Sequence, residues 1–357
     1  MRKVREIYER YERKLSAFSI VTGFIFDSLT LVRIDLVVNH LLMAGYFAIA
    51  AVGIFLINLR EEGRARFLSD EQYAWLFIAM QFSFGGLFGR FFLYYFHSGI
   101  IGTSWVFLAT LMAFLIGNEF AKKHYTRLVL QVDFFFLALF LFLIYFVPIL
   151  AGSIGGGIFI ISGIAALAIL FIFLRLLLRL TPVRIRSRSR EIVASIAAIY
   201  LAMNVMYFAN IIPPIPLALR SGGIYHRVTR SGDRYLGTTD ERRFLDRFRS
   251  YERIRITPNQ ELYAYSAVFA PTDLGTSIAH VWQRYDETQG EWIDQARVLF
   301  PIVGGQDRGY RGYTIKSNVT PGLWRVNIET LRGAVIGRLT FHAIREDGVI
   351  SLSTKEL

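Results

Sequence analysis

The chain has no cysteine in its 357 residues. That excludes disulfides, thiolate nucleophiles and cysteine metal sites, although it does not identify a compartment. Signatures of common catalysis are missing as well. The six histidines (His40, His97, His124, His226, His280 and His342) show no HExxH spacing, and no phosphate-binding loop or nucleophile elbow occurs. The glycine-rich "GSIGGGIFI" (152–160) leads into an apolar run and reads as a hairpin, not a phosphate cradle. No cofactor and no metal are expected.

Charge is also sparse over long stretches. "FFFLALFLFLIYFVPIL" (134–150) and "GIFIISGIAALAILFIFL" (157–174) carry none, and the chain is 54% hydrophobic with 31 Phe and a mean hydropathy of +0.40. Apolar runs of about 18 residues or more read as transmembrane helices. Seven spans are expected, at about 16–33, 38–59, 74–96, 101–118, 127–150, 157–178 and 192–212. The first two could also form a re-entrant hairpin. The basic start "MRKVREIYERYERKL" has no cleavage pattern after it and reads as a retained signal anchor.

What charge there is falls asymmetrically. Arg2, Lys3, Arg5, Arg10, Arg13 and Lys14 precede the first span. Arg60, Arg64 and Arg66 follow the second, and Lys122, Lys123 and Arg127 follow the fourth. Arg175, Arg179, Arg184, Arg186, Arg188 and Arg190 follow or end the sixth. The alternate connections hold only Arg33; "HSGIIGTS" (97–104) and "AGSIGGG" (151–157) have no Lys or Arg. The positive-inside rule then puts the N-terminus in the cytoplasm and the C-terminal third outside. "RIRSRSRE" (184–191) reads as a cytoplasmic loop near anionic headgroups; no recognition fold accompanies it, and nucleic acid is not an expected partner.

Beyond "NIIPPIPLAL" (210–219) the pattern changes. Thr238 with Glu241 forms a capping-box pair, and Phe244, Leu245, Phe248 and Tyr251 follow at helical spacing, so a short amphipathic helix is expected in a linker. From about residue 255 the period is two. Trp324, Val326 and Ile328 alternate with Arg325, Asn327 and Glu329; Val335, Leu339, Phe341 and Ala343 alternate with Arg338, Thr340 and His342. Six or seven strands separated by "PTDLG", "ETQG", "VGGQDRG", "TPG" and "LRG" point to an immunoglobulin-like sandwich. The expected fold class is a membrane all-α bundle followed by a small all-β domain. The expected divisions are a basic tail (1–15), a transmembrane domain (16–216), a linker (217–254), a sandwich (255–345) and a tail (346–357).

Trp282, Trp292, the Gly304–Gly305 turn, "GYRGYTIKS", "GLWRVNIET" and "GAVIGRLTF" together resemble a family of bacterial multi-pass membrane proteins with an outer domain of unknown function (number 2914). The resemblance covers about a hundred residues. It implies an inner (plasma) membrane protein with a periplasmic domain, and no catalytic residues.

Two candidate sites follow from the residues. Charges within a bilayer cost roughly 2.5–3.5 kcal/mol on insertion scales and usually find partners. Asp27 and Arg90 each lie roughly 9 Å below the outer boundary at 1.5 Å per residue, with Asp35, His40 and His97 near the same rim. An outward-facing polar pocket between the first and third spans is one expectation, for a lipid headgroup or small anion. Gly85 and Gly89 form a small-xxx-small pair that lets a neighbouring helix approach. Snorkelling of Arg90 and a local bond from Asp27 is the plainer alternative. Asp133 reads as part of a solvated helix end. In the outer domain Trp292, Arg308, Tyr310, Arg311 and Tyr313 lie near turns and could form a surface for an envelope protein or glycan; Trp324 belongs to the core. The favoured function is a non-enzymatic envelope protein that presents its sandwich to such a partner. The alternative is a transporter or lipid-handling protein.

Overall fold

The computed structural model describes residues 37–120, 127–232, 234–240, 252–258, 260–271, 274–303, 309–348 and 350–357. Two compact units divide it. One comprises the helices, and the other comprises residues 97–104, 151–155 and 213–357.

The helical unit is built from α1 (Val37–Glu61), α2 (Asp70–His97), α3 (Ile101–Phe120), α4 (Leu128–Ala151), α5 (Gly156–Leu180) and α6 (Pro182–Phe208). In lipid every backbone polar group needs an internal partner, so apolar runs of this length become helices. Five are long and apolar enough to cross a membrane, and α3 carries a shorter apolar stretch, Gly102–Gly117. The expected span at 16–33 lies outside the described residues. Ser69 and Gln72 close a reciprocal capping box at the start of α2: Ser69 Oγ accepts from the Gln72 amide at 3.1 Å, and Gln72 Oε1 accepts from the Ser69 amide at 2.9 Å.

The basic stretch 184–191 is not a loop. It forms the first turns of α6, where Pro182 loses no helical hydrogen bond and arginine is a good helix former. Four arginines at alternate positions then point two ways around the helix. Arg184 bonds Glu61 at 3.1 Å and Arg188 bonds Glu191 at 2.6 Å.

Aromatic packing fills the bundle: Phe134 meets Phe84 and Phe88 edge-on, each at 5.7 Å, and Phe140 stacks on Tyr200 at 5.6 Å. Gly163 allows the last contact, since a Cβ there would lie 2.9 Å from the Tyr200 ring and 3.1 Å from Phe140. The expected close approach is not at Gly89. Open space lies over Gly89, whereas a Cβ on Gly86 would meet the Tyr46 ring at 2.8 Å.

The β-rich unit holds eleven strands among its described residues: β1 (Ala218–Tyr225), β2 (Arg227–Ser231), β3 (Arg234–Asp240), β4 (Glu252–Ile256), β5 (Leu262–Phe269), β6 (Gly275–Asp286), β7 (Glu291–Val303), β8 (Tyr310–Lys316), β9 (Gly322–Thr330), β10 (Val335–Arg345) and β11 (Leu352–Glu356). Their sheets run β1-β5-β8, β4-β10-β9-β6-β7 and β11-β3-β2. All pairings are antiparallel except β4 beside β10.

The first two sheets close on one core. Ile224 and Leu262 come from one, and Trp282, Trp324, Val326 and Phe341 from the other; a second cluster adds Val268, Ile278, Ile302, Ile328 and Ile336. Period-two alternation is obeyed along β9. On β10 an irregularity between Val335 and Gly337 resets it, so Ile336 and not Val335 joins the core. The third sheet covers the other face of β1-β5-β8 through Tyr225, Val228, Tyr235, Tyr265 and Ala267. It was not foreseen. Residues 218–240, read as linker, form β1 to β3; Thr238 sits within β3, where it cannot cap a helix; and the final residues form β11 against β3. Residues 241–251 lie outside the described residues.

Candidate functional site

The outward face of the five-stranded sheet carries a connected polar network. Antiparallel neighbours share a face, so the register defines it: Gln283 opposes Arg325 and Asp294, and Asn327 lies between Val281 and Arg338. Arg325 Nε donates to Gln283 Oε1 at 2.6 Å, and Gln283 Nε2 donates to Asp294. Asn327 Nδ2 donates to Gln283 Oε1 at 3.2 Å and to Glu329 Oε1 at 3.1 Å, while its own Oδ1 accepts from Arg338 Nε at 2.7 Å. Arg297 completes the set with an ion pair to Glu329 at 3.6 Å.

The long arms bury what lies beneath them. Asn327 and Glu329 are buried although they face away from the core. Burial first, then the neighbouring Arg338 guanidinium, pushes Arg325 down to about 10, which leaves it charged at neutral pH. Burial lowers Arg338 as well, and it raises the Glu329 carboxyl against the opposing pull of its Asn327 bond. Each arginine spends only its Nε on a protein bond among the described residues. The terminal amino groups of both remain available on adjacent strands, and such a pair can grip a carboxylate or phosphate bidentately.

Trp292 belongs to this face. Arg325 lies over its ring at 4.2 Å, and Tyr285 approaches at 5.3 Å. One aromatic surface is therefore covered by a guanidinium, and Trp292 acts as a support for Arg325.

The other residues expected beside Trp292 lie elsewhere. Tyr310, Arg311 and Tyr313 are on β8, in the three-stranded sheet. Tyr310 packs toward the core. Arg311 lies over Tyr235 at 5.3 Å, and Tyr313 packs against Tyr263 at 5.7 Å. Arg308 is outside the described residues. The described part of the expected surface is thus split between two sheets, and of its described residues Trp292 alone shares the network. Arg325, Arg338, Gln283 and Asn327 were missed as site residues. Their signal was present in the alternation, as polar residues on the non-core positions of β6, β9 and β10.

In the helical unit Arg90 is buried, with its Nη1 donating to Asn39 Oδ1 at 3.3 Å and its guanidinium 6.0 Å from the Tyr46 ring. Nearby aromatic groups link His40 to Tyr145 at 5.9 Å and Tyr94 to Tyr145 at 5.5 Å. Asp27 and Asp35 lie outside the described residues. His97 is the last residue of α2. Asp133 accepts from Ser195 Oγ at 2.6 Å, joining α4 to α6.

Two buried histidines could suggest catalysis. His226 Nε2 meets Asp240 Oδ1 at 2.9 Å, and its Nδ1 meets Gln260 Nε2 at 2.6 Å. The third partner is an amide, which cannot serve as a nucleophile. His280 lies between Ser266 Oγ at 2.8 Å and Thr314 Oγ1 at 3.0 Å, fully inside the sandwich, and burial lowers it to about 3. No group of three or more His, Cys, Asp and Glu suited to a metal occurs among the described residues.

Residues 275–343 match a family described as a protein of unknown function (DUF2914). The whole arginine network lies within that segment. No curated protein matches the sequence. Among solved structures, a β-glucosidase from Listeria innocua is similar at 12% identity over 31% of this chain and 16% of its own, with a TM-score of 0.20. An alkylpurine DNA glycosylase from Pseudomonas fluorescens is similar at 10% identity over 78% of this chain and 82% of its own, with a TM-score of 0.23.

Proposed function

We propose that this is a non-enzymatic envelope protein of the bacterial inner membrane. Its β-rich unit, on the periplasmic side, binds an acidic partner, either a protein or an envelope glycan. The observation that carries the reading is the pair Arg325 and Arg338, fixed through their Nε atoms with terminal donors unspent among the described residues. Glu329 and Asp294 offset part of this charge, but three guanidinium groups (Arg297, Arg325 and Arg338) face two carboxylates in the network. The net positive charge on a partly dehydrated pair makes it a candidate anion-binding site. Guanidinium recognition suits an acidic group better than sugar stacking does, because Arg325 already occupies a Trp292 face.

Strand order supports an immunoglobulin-like domain. Sheets β1-β5-β8 and β10-β9-β6-β7 follow the A-B-E and G-F-C-C′ orders of that fold, and the buried Trp282 lies on the strand equivalent to C. Topology is supported from a separate direction. Residues 97–104 and 151–155, which contain no Lys or Arg, fall in the same compact unit as residues 213–357. Their lack of Lys and Arg marks them as outer segments under the positive-inside rule, which favours the same side for the β-rich unit they belong to.

Full-length protein in nanodiscs can be tested for co-sedimentation with isolated peptidoglycan and for binding to an acidic peptide. Arg325→Ala with Arg338→Ala is expected to weaken binding at least tenfold. Losing the bonds to Gln283 and the buried Asn327 should also lower the melting temperature, so binding is compared at a temperature where circular dichroism shows the variant folded. Arg325→Lys should recover only part of it, since an ammonium cannot reproduce the fork. Undiminished binding in the double variant would sink the reading.

One observation favours the transporter or lipid-handling alternative: the buried Arg90 and its bond to Asn39 within the bundle. That reading requires loss of function in Arg90→Ala while peptidoglycan and peptide binding stay intact.

A further inference from the structure

β7 is an edge strand whose only hydrogen-bonded neighbour among the described residues is β6. It is thirteen residues long, against five for β4 at the opposite edge. Sheet edges are normally blunted by shortness, charged side chains, proline or a bulge. β7 is long and its proline, Pro301, lies near its end. It has a bulge at Gln295, but its central charges, Asp294 and Arg297, are of opposite sign and attract a second antiparallel copy where they would repel other edges. Apolar side chains stand exposed along it, Leu299 at 56% and Ile293 at 38%. A strand with these properties is a template for another strand.

Its sequence says which one. We propose that two copies of this chain pair through β7, antiparallel about a two-fold axis between Gln295 and Ala296, with Asp294 of each copy opposite the partner's Arg297. The pairing with β6 fixes which way each residue faces. Trp292, Asp294, Arg297 and Leu299 point outward, opposite Tyr285, Gln283, Val281 and Ala279; Ile293 and Val298 point inward, opposite Arg284 and His280. Gln295 is the extra residue at the irregularity between Trp282 and Gln283, which is why the outward set changes from even to odd numbers there.

In the proposed register Trp292 meets Leu299, Ile293 meets Val298 and Asp294 meets Arg297, and each of these three pairs shares a face. A slip by one residue would oppose inward to outward side chains. A slip by two would place Asp294 opposite Gln295 or Leu299 and lose both ion pairs. Of these registers, this one alone keeps both ion pairs and matches the central apolar residues face to face, so the middle of the strand is complementary to itself. Two five-stranded sheets would become one ten-stranded sheet whose arginine networks share a continuous face. The inference does not depend on what those networks bind. Confinement in a bilayer raises the effective concentration of the two copies, so a short interface suffices there.

The test uses full-length protein in lipid bilayers, with dimer fraction read by single-molecule photobleaching. Wild type is expected to dimerise. Asp294→Arg and Arg297→Glu, each alone, place like charges opposite one another twice per dimer and should weaken self-association at least tenfold. Mixing the two single variants restores both ion pairs in the heterodimer, so dimers should reappear on mixing. Damage to the Asp294–Gln283 or Arg297–Glu329 contacts within one copy could not produce that rescue. A monomeric wild type, a dimer indifferent to both substitutions, or no recovery on mixing would each overturn the proposal.

Discussion

His280 shows how one side chain ties packing to pH. Thr314 Oγ1 receives the Trp282 indole N–H at 3.1 Å, its hydroxyl can donate to His280 Nδ1, and the Nε2 proton can go to Ser266. Every group is satisfied with a neutral ring. Burial lowers the folded value to about 3, below an unfolded value of about 6.5, so the unfolded chain binds the proton first as pH falls. Stability from this site is complete above about pH 6.5 and is lost toward pH 3, at up to about 1.4 kcal/mol per pH unit. Thermal unfolding should therefore drop more between pH 7 and pH 5 in wild type than in His280→Gln. An equal drop would contradict the assignment. Gly337 is fixed by packing alone. A Cβ there would lie 2.2 Å from Leu219 Cδ2 and 3.0 Å from its Cβ, so Gly337→Ala should destabilise by about 1–3 kcal/mol through overpacking, measurable as a lowered melting temperature.

At the scale of elements, helices are held by contacts that hydropathy does not register. Asn58 Nδ2 donates to Gln131 Oε1 at 2.6 Å, both fully buried, joining α1 to α4. Interhelical bonds of this kind average about 0.6 kcal/mol, up to about 1.7. Gln131→Leu should lower stability in detergent by about that range, and a variant as stable as wild type would show the bond to be idle. The spans at 38–59, 74–96, 127–150 and 157–178 were legible because apolar length alone decides them. The start of α6 was not, since four arginines look like a loop to a hydropathy reading although they suit a helix. Strands β5 to β10 were legible from alternation and turn residues. β1 to β3 were not: "ALRSGGIY" carries two glycines and little alternation, and its strand character comes from pairing with β5. The candidate site suffered similarly. Trp292 stood out as an aromatic near a turn, but its grouping with Arg325 and Arg338 depends on which strands are neighbours in space.

For the whole molecule the central proposal is one of sides: the β-rich unit is periplasmic and the basic connections between helices are cytoplasmic. The absence of cysteine makes this directly measurable. Gln289 lies in the exposed turn between β6 and β7, and Arg186 is exposed near the start of α6. Single variants Gln289→Cys and Arg186→Cys, each in the full chain, can be treated with a membrane-impermeant maleimide in intact spheroplasts and again after lysis. The account predicts labelling of the Gln289→Cys variant before lysis and of the Arg186→Cys variant only afterwards. The reverse pattern would put the arginine network in the cytoplasm and contradict the proposed envelope role.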